Sequence, residues 1–163
     1  MTEKLQIRGI TKQDDAALAK IIRAILKAHD LALPGTAYFD PELDCLSSFY
    51  MNKEGRAYYV ALDEAGAVVG GAGFGEFNGD KTVAEMQKLY IVPEKRGTGL
   101  CSRLIKLVEE GAAKAGYKEL YLETHHNLAK ATEVYAAKGY NRLEKSRSGS
   151  LHQLMDIFFN KAL

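Results

Sequence analysis

No apolar run in this sequence approaches the roughly 20 consecutive residues that a membrane-spanning helix needs. The opening Met1-Thr2-Glu3-Lys4 leads into no apolar leader segment. Neither a membrane partner nor export is expected, and a cytoplasmic location is. Neither sign of charge is in excess, because 22 Lys and Arg face 21 Asp and Glu, for a net charge of +1. Bulk nucleic-acid binding usually needs a basic face, so no nucleic-acid partner is expected. The balance still permits a polyanionic small molecule, since backbone amides hold phosphate without surplus Lys or Arg. Cysteine is scarce as well. Cys45 and Cys101 lack metal-ligand spacing and could form one bridge, so idle thiols in a reducing compartment are the expectation. Neither has an identifiable partner base, which argues against a cysteine nucleophile. Among the histidines, His29 and His152 stand alone, and the adjacent His125 and His126 should point in different directions at a strand end. No zinc pattern results, and no metal is expected.

What is present fits one mixed α/β domain spanning residues 1–163. A length of 163 residues is enough for a single continuous core. Leu5 to Ile10 alternates apolar and polar residues, as a half-buried strand does. Thr11 can cap the helix that follows, with Asp14 and Asp15 at its positive dipole end. That helix carries the stripe Ala17, Leu18, Ile21, Ile22, Ile25 and Leu26. Asp30 to Pro41 loses periodicity and holds two of the three prolines, which predicts a loop. A short helix is expected from Glu42 to Met51. Ala57–Leu62, Val68–Phe77 and Val83–Val92 read as an antiparallel meander, with Asn78-Gly79 as a hairpin signal. Helices over Leu100–Ala115 and Leu128–Lys138 flank a strand around Leu120-Tyr121-Leu122. Gly116 and Gly139 stop the two helices. Strands at Tyr140–Leu143 and Leu154–Phe159 complete the order.

The turn Arg96-Gly97-Thr98-Gly99-Leu100-Cys101 carries the chemistry. It joins a strand to a helix, whose first amides lack intrahelical partners and point outward at the positive dipole end. Gly97 and Gly99 let backbone approach a diphosphate closely, and Arg96 adds a fixed cation. This turn resembles the fingerprint [RQ]-x-x-G-x-[GA] of the GNAT acetyltransferase superfamily, with Arg96 and Gly99 matching and Cys101 standing where Gly or Ala is preferred. Asn127, Ala131, Tyr135, Gly139 and Tyr140 resemble that family's downstream N-x-x-A-x-x-x-Y-x-x-x-G-[FY] pattern. The segment Glu85 to Pro93 looks like its fourth strand. The resemblance covers roughly Tyr58 to Leu143.

It implies a GNAT-like fold, a twisted mixed sheet of about seven strands flanked by helices. It also implies an acyltransferase that uses acetyl-CoA as co-substrate and a small-molecule primary amine as acceptor, with room for a homodimer. Cofactor contacts carried over are the backbone of Leu89 and Ile91, the turn from Arg96 through Gly97, Thr98, Gly99 and Leu100 to Cys101, and the side chain of Asn127. Asn127 reads equally as a plain N-cap. Tyr135 is the candidate acid, because a phenol stays protonated at neutral pH and can donate to a thiolate. Glu85 is the candidate base, acting through water, and strand alternation places it with Gln87, Leu89 and Ile91 on one face. Tyr38, Phe39, Asp40, Glu42, Asp44 and Tyr50 form the candidate acceptor wall, with acids and rings that suit an ammonium. The rival readings are a non-catalytic acyl-CoA-binding module of the same fold and a transferase for protein or peptide amines. Gly71, Gly73 and Gly75 mimic a dinucleotide loop but lead to a hairpin, not a helix, so they mark a bulge or a close approach. Gly99→Glu is expected to abolish CoA binding by placing an anion at the pyrophosphate position. Calorimetric titration of the folded variant checks this, and unchanged affinity would remove the phosphate-turn assignment.

Overall fold

A computed structural model of the chain describes residues 4–163. Met1, Thr2 and Glu3, read above for a leader, lie outside the described residues. In chain order the elements are β1 (Gln6–Gly9), α1 (Asp15–Ala28), α2 (Leu46–Met51), β2 (Ala57–Leu62), β3 (Val68–Glu76), β4 (Val83–Ile91), α3 (Leu100–Lys114), β5 (Glu119–Thr124), α4 (Ala129–Ala137), β6 (Asn141–Leu143) and β7 (Ile157–Ala162). The strands form one seven-stranded sheet in the order β1-β2-β3-β4-β5-β7-β6. Its pairs are antiparallel except β4 with β5. No described helix is long and apolar enough to cross a membrane.

Each face of the sheet is covered by helices whose apolar stripes the periodicity announced. Leu18, Ile22 and Leu26 of α1 bury with Leu46 and Tyr50 of α2 against Tyr58, Val60 and Leu62. On the opposite face Leu100, Leu104, Ile105 and Val108 of α3 bury against Phe74, Ala84, Met86 and Leu120. Thr11 and Asp14 begin the first helical segment as expected. The Asp14 carboxylate accepts from the Thr11 amide at 2.8 Å and from Arg8 at 2.7 Å, and α1 starts one residue later. The predicted helix from Glu42 is shorter than expected, because Leu43–Cys45 is a separate 3-10 turn before α2.

The last strand starts three residues later than the sequence reading placed it. Leu154 instead donates its amide to Gly35 O, and Met155 closes a turn onto His152 O. The run from Leu154 to Phe159 is nearly all apolar, so alternation could not mark where pairing begins. Pairing with β5 decides it, from Thr124 opposite Ile157 to Glu119 opposite Ala162.

β4 is irregular. Gly71 pairs with Tyr90 and Gly73 with Gln87, so Lys88 and Leu89 together face Ala72. This is a β-bulge, and Lys88 adopts φ +51° to make it. The extra residue reverses the alternation. Ala84, Met86, Leu89 and Ile91 pack toward α3, while Tyr90 packs toward α1. The expectation that Glu85 and Gln87 share a face with Leu89 and Ile91 is therefore wrong, since a bulge shifts the period by one.

The glycines of β3 are explained at the same place. A Cβ on Gly71 would lie 2.7 Å from Tyr59 O and within the Tyr58 ring, and one on Gly73 would lie 2.5 Å from Ala57 O. Their absence of side chains lets the Tyr58 ring cross β3 and donate its hydroxyl to Lys88 O at 2.8 Å. Gly71→Ala is expected to cost about 1–3 kcal/mol through forced displacement of Tyr58, read as a lower urea midpoint at constant slope.

Candidate active site

β4 and β5 pair over three residue positions only, from Val83 opposite Glu119 to Glu85 opposite Tyr121. Beyond Glu85 the two strands part, and β4 continues to Ile91 with its β5-side edge free of that ladder. A cleft of about 670 Å³ opens there. Leu89 and Ile91 line one side, Ala131 and Tyr135 of α4 the other, and Arg96, Gly97 and Gly99 stand at its α3 end. Gly99 is the N-cap of α3 at φ +83°, and Gly97 has φ +77°. A Cβ at either position would meet nothing within 4 Å, so the turn leaves open space beside its backbone. A polyanion fits this donor set, since unpaired helix-start amides face open space beside Arg96.

The remaining residues of the predicted set are not all in the cleft lining. Cys101 lines it, and burial pushes its thiol up. Thr98 is exposed, with its hydroxyl donating to Lys95 O at 2.7 Å. The Leu100 side chain is buried in the α3 core, which leaves its backbone as the part able to meet a ligand. Asn127 lines the cleft, but it does not cap α4, whose N-cap is Leu128. Its side-chain amide donates instead to His29 O at 2.9 Å, beyond the end of α1.

A second cavity of about 610 Å³ lies on the α1 side of the sheet. Leu89, Tyr90, Leu128, Ala131 and Tyr135 border both spaces. Tyr135 is buried, its ring packed 5.8 Å from those of Tyr140 and Phe159. Burial pushes its phenol far above the usual range, so it is protonated at neutral pH. Among the described residues its hydroxyl has no hydrogen-bond partner, which leaves it available at the junction. Glu85 lies in the second cavity and accepts from Gln87 Nε2 at 3.0 Å, while Gln87 Oε1 accepts from Tyr50 at 2.8 Å. Burial pushes the Glu85 carboxyl up, and Glu123 adds to the shift.

The residues of the candidate acceptor wall are placed differently from one another. Asp40 and Glu42 line the cavity, whereas Asp44 is engaged with Arg23 at 2.6 Å and does not. Tyr50 is buried behind Gln87, Tyr38 packs toward α1, and Phe39 is exposed outside the cavity lining. Sequence reasoning missed Lys88, Glu123 and His152. Lys88 bonds Asp40 at 2.7 Å and Glu42 at 3.3 Å. His152 is not alone, since its Nε2 lies 2.8 Å from Asp40 Oδ1. Glu123 accepts from the hydroxyls of Tyr121, Ser146 and Ser150. Position 123 on the face of Tyr121 was the available signal, but a sequence separation of 112 between Asp40 and His152 carries none.

His125 and His126 also depart from expectation. Their rings stack at 4.2 Å and both approach Asp156, rather than diverging. The Asn127 amide donates to His125 Nδ1, which puts the neutral ring's proton on Nε2, toward Asp156. At 4.0 Å that contact is too long for a hydrogen bond, and the proton on Nε2 occupies the lone-pair position a metal would need.

The comparisons agree with the geometry. The family model for the acetyltransferase (GNAT) family matches residues 22–140. The uncharacterized N-acetyltransferase YjgM of Escherichia coli is 36% identical over 140 residues, covering 85% of this chain and 83% of its own. An acetyltransferase of the GNAT family from Staphylococcus aureus shares the fold at a TM-score of 0.86 and 17% identity, over 98% of this chain and 99% of its own. A GNAT superfamily phosphinothricin acetyltransferase from Sinorhizobium meliloti, solved in complex with acetyl-CoA, has a TM-score of 0.74 at 22% identity, over 100% of this chain and 89% of its own. The chain belongs to the GNAT acetyltransferase family. It is an acyltransferase by that membership.

The His152–Asp40 pair makes stability pH-dependent. Burial works to lower the His152 pKa, but the hydrogen bond and charge of Asp40 outweigh it and raise it above 6.5. A raised histidine contributes its stability fully below its unfolded value and loses it as pH rises through the folded one. His152→Asn is therefore expected to destabilise the fold more at about pH 6 than at about pH 9, as measured by urea unfolding at both.

Proposed function

We propose that the whole chain acts as one domain that transfers an acetyl group from acetyl-CoA to a primary amine of a small molecule, directly and in a ternary complex. The observation that carries this reading is the meeting of two cavities at Leu89 and Tyr135. One has a phosphate-suited turn at its end, the other is lined with carboxylates, and a protonated phenol stands at their junction. When bound, acetyl-CoA supplies a thioester as acyl donor.

This chain's residues then do the following. The backbone at Gly97, Thr98, Gly99, Leu100 and Cys101, with Arg96, holds the pyrophosphate. The free edge of β4 at Leu89 and Ile91 holds the pantetheine arm, and the Leu89 amide faces the thioester oxygen, where it would stabilise developing negative charge. Asn127 borders the same arm while steadying the end of α1. Glu85 takes a proton from the acceptor ammonium through water, for which its raised carboxyl is better matched to neutral pH than an ordinary one. The amine nitrogen bonds to the acyl carbon as the carbon–sulfur bond breaks. Tyr135 gives its hydroxyl proton to the departing sulfur and is reprotonated by the second proton that the nitrogen sheds, so an amide and free thiol leave.

Tyr135→Phe is expected to leave acetyl-CoA affinity within a few-fold and to lower kcat by about 10²-fold, a usual size for general acid catalysis. Steady-state thiol release across an amine panel, beside calorimetric affinity for acetyl-CoA, checks both. Full kcat in the variant would show that another donor protonates the sulfur. Tight binding without thiol release from any amine would favour a binding module.

A further inference from the structure

We propose that the acceptor is an aliphatic amine bearing a second ammonium group and no carboxylate, a diamine or polyamine, and that Glu123 holds the second ammonium. The proposal rests on the acyl-transfer reading and names its substrate class.

The charges lining the second cavity are unequal. Asp40, Glu42, Glu76, Glu85 and Glu123 stand against Arg56, Lys88 and His152. Every one of those cations is already committed. Arg56 gives Nε and Nη2 to Glu76 at 3.0 and 2.6 Å and Nη1 to Phe49 O at 3.1 Å. Lys88 bonds Asp40 and Glu42, and the His152 Nε2 bonds Asp40. No guanidinium fork is left over for a ligand carboxylate. Two acids are left over instead. Among the described residues neither Glu85 nor Glu123 has a cationic partner within ion-pair distance. Glu85 accepts a single amide donor from Gln87, and Glu123 accepts only neutral hydroxyls.

The sheet sets the spacing of the two. Glu85 is opposite Tyr121, and Glu123 lies two residues further on the same face of β5. With strands ~4.8 Å apart at Glu85 and diverging beyond it, and a rise of ~3.3 Å per residue along β5, their Cα atoms are at least roughly 8 Å apart. A short alkyl chain spans that gap, with one nitrogen near Glu85 and the Tyr135 junction and the other at Glu123. The first nitrogen loses its proton through water toward Glu85 and is acylated, while the second stays charged. An amino acid would instead place its carboxylate among uncompensated acids, which is costly without a paired cation.

The test uses the full chain, acetyl-CoA and three amines of equal reach: n-pentylamine, pentane diamine with an amine at each end, and lysine, which adds a carboxylate to that diamine. The diamine is expected to exceed both others in kcat/KM by about 10-fold, the effect of one charge-assisted contact. Glu123→Gln should close the gap between diamine and monoamine to within about two-fold, through a higher diamine KM. Should that variant fail to fold, the wild type still decides. Added salt should raise the diamine KM more steeply than the monoamine KM, and equal slopes would overturn the proposal. So would lysine or pentylamine matching the diamine, or a persistent gap in folded Glu123→Gln. Absence of thiol release with every amine would instead remove the acyl-transfer reading, and this inference with it.

Discussion

The hydrogen bond from the Tyr58 hydroxyl to Lys88 O fixes the one place in β4 where pairing with β3 slips, and the rest of the site is arranged around that slip. Without the extra residue, Lys88 would face the α3 core with a charged side chain. With it, Lys88 Nζ reaches Asp40 and Glu42, and Leu89 turns into the cleft. Gly71 and Gly73 are the condition for this arrangement, because any Cβ there would occupy the path of the Tyr58 ring. A tyrosine on β2, two glycines on β3 and a bulge on β4 thus act as one device.

The parting of β4 from β5 is the second constraint. Three paired positions hold the strands together, and the opening beyond them is lined on both sides by apolar groups. Such a wedge would be a defect in a closed sheet, because free strand edges invite pairing with other chains. Here α4 and the turn before α3 border the opening. Tyr135 stands where the wedge meets the acidic cavity, held by aromatic contacts with Tyr140 and Phe159.

Asp40 organises the far wall. Burial alone would raise its pKa, yet His152 and Lys88 together keep it below the ordinary carboxylate value. Its charge is therefore consumed locally, as are those of Glu42 and Glu76. The consequence is selective. The acids that retain field for a ligand are Glu85 and Glu123, on adjacent strands, while the more conspicuous acids of the segment before β2 are structural partners.

Much of this protein was legible in its sequence. The stripes of α1 and α3 follow from helical spacing, the hairpin from Asn78-Gly79, whose φ values are both positive, and the glycine turn into α3 from Gly97 and Gly99. Each is a local pattern, in which neighbours along the chain are neighbours in space. The bulge was not legible, because Lys88 is an ordinary residue whose backbone is set by Tyr58, 30 positions away. The start of β7 was not legible, because a nearly all-apolar run gives no register until β5 supplies one. His152 looked solitary for the same reason. Its partner Asp40 is brought to it by the packing of two distant loops, and only the folded chain places an imidazole, a carboxylate and an amine within one cavity wall.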